Sequence, residues 1–122
     1  MERLFALRGA NSVSRNDRES ILAATDELVR AMITRNGLTP ERMVSCIFTV
    51  TPDLDAEFPA VAARRLGLDR VPLLCACEIP VPGALPLVVR AMLYYYGPED
   101  QVPQHVYLGD ARQLRSDLDA AQ

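Results

Sequence analysis

At 122 residues the chain is sized for one domain with its own core, and 49% hydrophobic against 24% charged residues is a globular balance. A net charge of −3 and the lack of any basic stripe argue against a nucleic-acid partner. No apolar run approaches the ~20 residues that span a bilayer, and MERLFALRGA has no signal-peptide layout, so no membrane partner and a cytoplasmic location are expected.

All 13 basic residues are arginines. Arginine suits planar, two-point recognition of carboxylates, so arginines in apolar surroundings carry the most information. Arg15, Arg18, Arg30, Arg35, Arg42 and Arg112 have polar neighbours and read as solvated, which leaves Arg8, Arg64, Arg90 and Arg115. Cys75 and Cys77 lack the two-residue gap of a redox or zinc knuckle, and Cys46 lies in the apolar run VSCIFTV. His105 is the only histidine, which disfavours a metal site or a His-based nucleophile. No metal is implied.

Residues Arg3–Arg8 predict a first strand closed by Gly9, with Leu4, Ala6 and Arg8 on one face. Asn16, with Glu19 three residues on, predicts a capping box opening a helix over Asp17–Asn36, and Gly37 its C-cap. The helix has one apolar stripe, the pattern of a helix lying on one face of a sheet. Thr39-Pro40-Glu41 reads as a capped turn, and Met43–Val50 as a strand apolar on both faces. Such a strand must be covered on both sides. A single long helix cannot cover both faces of a four- or five-stranded sheet, so a partner subunit is expected.

After a turn at Thr51–Asp55, Pro59 fits the first position of a short helix, Ala60–Leu66, ended by Gly67. Phe58 stands on an exposed loop before it, an odd place for an aromatic unless something covers it. Arg64 and Arg65 point about 100° apart on that helix. The apolar runs Val71–Ile79 and Leu85–Met92 predict two strands, the second continuing to Tyr96 and ended by Gly97-Pro98. His105–Leu108 predicts a last strand, followed by a turn at Gly109, an apolar Leu114 and a polar, mobile tail. The resulting fold class is α+β, a mixed sheet with one long and one short helix. Residues 1–115 form the single domain and 116–122 the tail.

Each central run carries one charge, Glu78 near the end of the first and Arg90 inside the second. Unpaired charges in a sheet core are costly. Glu78 and Arg90 therefore form either a structural ion pair across neighbouring strands or an acid and a guanidinium lining a polar site.

Four segments in order, LRGA, TPDLDAEFPAVAARRLG, VPLLCACEIPVPGALPLVVRAM and QHVYLGDARQLRSDL, resemble the monofunctional chorismate mutases of the trimeric mixed α/β type. That resemblance implies a trimeric pseudo α/β-barrel with helices outside and active sites in the clefts between subunits. It implies chorismate as substrate, prephenate as product, and a pericyclic rearrangement without cofactor or metal.

On the matching positions Arg8, Cys75, Glu78, Arg90 and Tyr107 come from one subunit. Phe58, Ala60, Arg64, Leu73 and Leu74 come from the next, and Leu114 and Arg115 fold over the mouth. Arg90 would meet the ether oxygen, Arg8 and Tyr107 carboxylate, and Glu78 and Cys75 the ring hydroxyl. Cys75 and Glu78 face opposite sides of an ideal strand, so both reach one site only if the strand end kinks. Val61 and Leu74 depart from a lysine and a smaller polar residue of the family pattern. Two other readings are an imine deaminase-like trimer, which needs no Glu78–Arg90 pairing, and a non-catalytic trimer binding small anions.

Overall fold

Strand β1 (Glu2–Ser12) runs straight past Gly9 instead of ending there. The glycine marks close packing: a Cβ at Gly9 would lie 2.5 Å from Met32 Sδ and 2.9 Å from Leu28 Cδ1 of the long helix. Gly9→Val is expected to cost about 1–3 kcal/mol through overpacking, read as a lower urea midpoint. An unchanged midpoint would mean that the helix can move away from the strand. The computed structural model describes residues 1–114, so Arg115 and the expected tail 116–122 lie outside the described residues.

Helix α1 (Arg18–Asn36) is capped by Asp17, whose carboxylate accepts the Ser20 N–H at 2.7 Å. That bond, before any contribution from Arg15, lowers the Asp17 pKa. Asn16, the expected cap, instead bonds to the loop at Asp55 and Ala56. Asp17 wins because Asn16 is occupied 39 residues away. Gly37 closes the helix in the left-handed region, φ 60°, as expected.

Strand β2 (Met43–Val50) matches its sequence bounds. Helix α2 covers Ala60–Arg65, with Pro59 as its cap residue rather than its first turn. Strands β3 (Leu73–Cys77), β4 (Val88–Pro98) and β5 (Val106–Tyr107) complete the chain. Gly97 and Pro98 do not end β4, because they pair with Arg3 and Glu2 at the sheet margin. The sheet order is β3-β2-β4-β1-β5, with β4 antiparallel to β1 and β2, and the outer pairs β2–β3 and β1–β5 parallel. The architecture is α+β, as the sequence indicated. No described helix is long and apolar enough to cross a membrane.

The two faces of this sheet are unequal. Phe5, Leu7, Cys46, Phe48, Val89, Ala91, Leu93 and Tyr95 are buried against α1 residues such as Ile21, Leu28, Val29 and Met32. The opposite face presents Leu4, Ile47, Leu74 and Tyr96 as exposed hydrophobics. Among the described residues, one end of it is covered, where Ala10, Val88 and Ala111 pack with Leu85, Tyr107 and Leu114.

Candidate active site

Register places a single row of residues across the uncovered face. Tyr107 pairs with Ala10, Ala10 with Arg90, Arg90 with Thr49, and Thr49 with Ala76. Paired residues of adjacent strands share a face, so Tyr107, Arg90 and Thr49 point to the same side. The small Ala10 lies between Tyr107 and Arg90, fully buried under the segment that carries Ala111 and Leu114. Arg8 is a diagonal neighbour of Arg90, two residues along β1 on the same face.

Glu78 enters this row from just beyond β3. Its N–H donates to the Val50 carbonyl at 2.8 Å, which sets the backbone beside the end of β2. Its Oε2 accepts from Thr49 Oγ1 at 2.7 Å and lies 3.1 Å from Arg90 Nε in an ion pair. The Arg90 side chain is 48% exposed and that of Glu78 17%, so the carboxylate holds the guanidinium from behind. The two charges, which could have served opposite ends of a ligand without touching, form a direct ion pair. They bridge over β2, because β3 and β4 are not neighbours. Half-exposed, this pair contributes little to stability by itself; its effect is to orient Arg90.

Arg8 is anchored through its backbone. Its N–H donates to His105 Nδ1 at 3.0 Å, which requires that nitrogen unprotonated. Burial first, then the Arg8 charge, lowers the His105 pKa below the ordinary histidine value. The folded chain therefore binds fewer protons here than the unfolded chain. Its stability contribution is complete above the ordinary pKa of about 6.5 and is lost as pH falls through the folded value. The melting temperature is expected to fall from pH 7 to pH 5, with a shallower slope in His105→Asn, whose amide oxygen accepts at any pH. Identical slopes would remove His105 from the explanation.

The remaining sequence-derived positions lie elsewhere. Cys75 pairs with Phe48 and packs against the core cluster that contains Cys46. The ladder continues in register to Cys77, so the kink that would bring Cys75 beside Glu78 is absent. Cys46 is buried, and that pushes its thiol up to about 12, which makes it inert as a nucleophile. Ala60, expected as a site wall, is packed into the core of its own chain, and Leu73 packs against that core.

Phe58 and Leu74 are 66% and 62% exposed. Leu74 pairs with Ile47 four residues before Glu78, roughly 13 Å away at strand rise. Arg64 is exposed on α2. The Phe58 loop is held by Glu57, which accepts the Phe58 N–H at 2.9 Å and Arg18 Nε at 2.7 Å. Those two bonds, the first the stronger influence, lower the Glu57 pKa. Within one chain, Arg8, Glu78, Arg90, Tyr107 and Leu114 thus gather at one end of the bare face. Phe58, Arg64 and Leu74 stand apart from them, exposed.

Sequence reasoning missed Thr49. The available signal was a pair of hydroxyls, Ser45 and Thr49, in an otherwise apolar strand, both on the Ile47 face by period-2 alternation. Its partners depend on a register that sequence does not display.

The family model for type I chorismate mutases matches residues 4–118. The chorismate mutase AroH of Thermus thermophilus is 48% identical over 119 residues, spanning 95% of this chain and 97% of the relative. Its counterpart from Bacillus subtilis strain 168 is 41% identical over 115 residues, 92% of this chain and 90% of the relative. A solved chorismate mutase structure from Clostridium thermocellum superposes with a TM-score of 0.85 at 42% identity, over 89% of this chain and 98% of that one. The chain belongs to the type I chorismate mutase family. It is therefore an isomerase, and the imine deaminase-like and non-catalytic readings fall away.

Proposed function

We propose that the chain converts chorismate to prephenate as a homotrimer, with each site completed by a neighbouring subunit. The reaction breaks one C–O bond and forms one C–C bond in a single pericyclic step. No proton or covalent intermediate is involved, so catalysis reduces to holding the reactive conformer and placing charge where it develops.

The observation that carries this reading is the oriented Arg90 guanidinium. As C–O cleavage runs ahead of bond formation, the ether oxygen gains negative charge, and Arg90 meets it already paired and aligned by Glu78. Because its alignment is built into the fold, little reorganisation accompanies the reaction. Arg8 and Tyr107, on the same face, are assigned to substrate carboxylate, and Glu78 also accepts from the ring hydroxyl. Leu114 closes the covered end. Arg115 keeps its assignment as an electrostatic aid at the mouth on sequence grounds. Cys75, turned to the core, and Ala60, buried, have no side-chain role in this reading.

The trimer is supported by the bare apolar face and by the separation of Phe58, Arg64 and Leu74 from the charged residues. Brought in from a neighbour, Phe58 and Leu74 would wall the site and favour the compact substrate conformer. Three free cysteines suit a cytoplasmic location, where thiols stay reduced. Purified protein incubated with chorismate is expected to form prephenate far faster than buffer alone. A rate equal to buffer would overturn the proposal.

A further inference from the structure

We propose that Thr49 is a positioning residue for the rearrangement, acting through Glu78 on Arg90. This rests on the reading of Arg90 given above. Thr49 sits on β2, hydrogen-bonded on both sides to β3 and β4, directly opposite Arg90 in register. Its β-branched side chain has restricted rotation at χ1, so the hydroxyl direction follows from a backbone that is itself fixed.

The hydroxyl and the Arg90 Nε converge on one carboxylate oxygen, Glu78 Oε2, at 2.7 and 3.1 Å. The Thr49 hydrogen bond fixes how the carboxylate is rotated, and the carboxylate in turn draws the guanidinium to it through the ion pair. The backbone bond from Glu78 N–H to the carbonyl of Val50, the residue after Thr49, fixes the other end of the same side chain. Without the hydroxyl, the only remaining partner of the Glu78 carboxylate is the half-exposed Arg90, so the pair is free to rotate together and the guanidinium loses its alignment. The substrate carboxylates meet other residues and the ring hydroxyl keeps Glu78 as acceptor, so the cost falls mainly on the transition state rather than on binding.

Thr49→Val keeps the shape of the side chain and removes the donor. It is expected to lower kcat about tenfold with KM changed less than threefold, the scale of one hydrogen bond to a charged group. Thr49→Ser, which keeps the hydroxyl, is expected to restore kcat to within about twofold of wild type. In a Glu78→Ala background Thr49→Val should cost less than about twofold more, because its partner is already gone. Melting curves and circular dichroism accompany each variant, and Thr49→Ala takes the place of the valine variant if that chain fails to fold.

A Thr49→Val enzyme within twofold of wild type, measured beside a strongly impaired Arg90→Lys, overturns the Thr49 inference and leaves Arg90 in place. Failure of serine to restore kcat, or an undiminished effect in the Glu78→Ala background, overturns it equally. An Arg90→Lys enzyme of near wild-type rate removes the underlying reading first.

Discussion

Arg90→Lys is expected to cut kcat by about 10²–10³ while the fold and the proposed trimer persist. Lysine keeps one positive charge but replaces a planar fork by a compact, strongly hydrated point. In the wild type the Nε end of the fork is engaged by Glu78, and the rest of a half-exposed guanidinium is available to the ligand. An ammonium cannot divide itself in that way: drawn to Glu78, it leaves the developing oxyanion unserved. Fold stability should change little, because exposed and half-exposed ion pairs contribute about 0–1 kcal/mol. The check is steady-state kinetics with chorismate beside a thermal melt. A rate within threefold of wild type would remove Arg90 from the ether oxygen.

On the proposed trimer, Ile47→Glu is expected to separate the subunits and to abolish activity without unfolding the chain. Ile47 lies at the middle of the uncovered face, 36% exposed and opposite Met92, with Leu4, Leu74 and Tyr96 exposed on the same surface. In an isolated chain the new carboxylate would simply be hydrated. At the centre of an apolar interface it would be an unpaired charge, costing several kcal/mol for each copy. Solution mass should drop from three chains to one, and prephenate formation should fall with it, since Phe58 and Leu74 could no longer reach a neighbour's Arg90. A mass that stays at three chains would show that this face is not the interface. Full activity at the mass of one chain would show that the site needs no neighbour.

Much of this architecture is visible in local sequence. The bounds of β2, the end of α1 at Gly37 and the split of β4 into two faces follow from periodicity and capping chemistry, which act over a few residues. Met43–Val50, read as apolar on both sides, likewise gave the expectation of a second covering layer, which enters here as part of the proposed trimer. Misreadings occurred where a long-range contact overrode a local preference. Gly9 suggested a strand end and is instead the place where Met32 and Leu28 press against β1. Asn16 had a capping signature, yet its amide is taken by the Asp55 loop.

For the site, sequence pattern and family resemblance determined which residue types are present: an arginine and a glutamate in apolar strands, a second arginine near the N-terminus, and no good nucleophile. The tertiary structure decided their relations. Strand order carries Glu78 over β2 to Arg90, and register sets Thr49 and Tyr107 in line with them. The same pleat turns Cys75 away toward Phe48 and the core. The reason is physical: side-chain identity and period-2 alternation are local, whereas the pairing of strands from distant parts of the chain is a property of the assembled sheet.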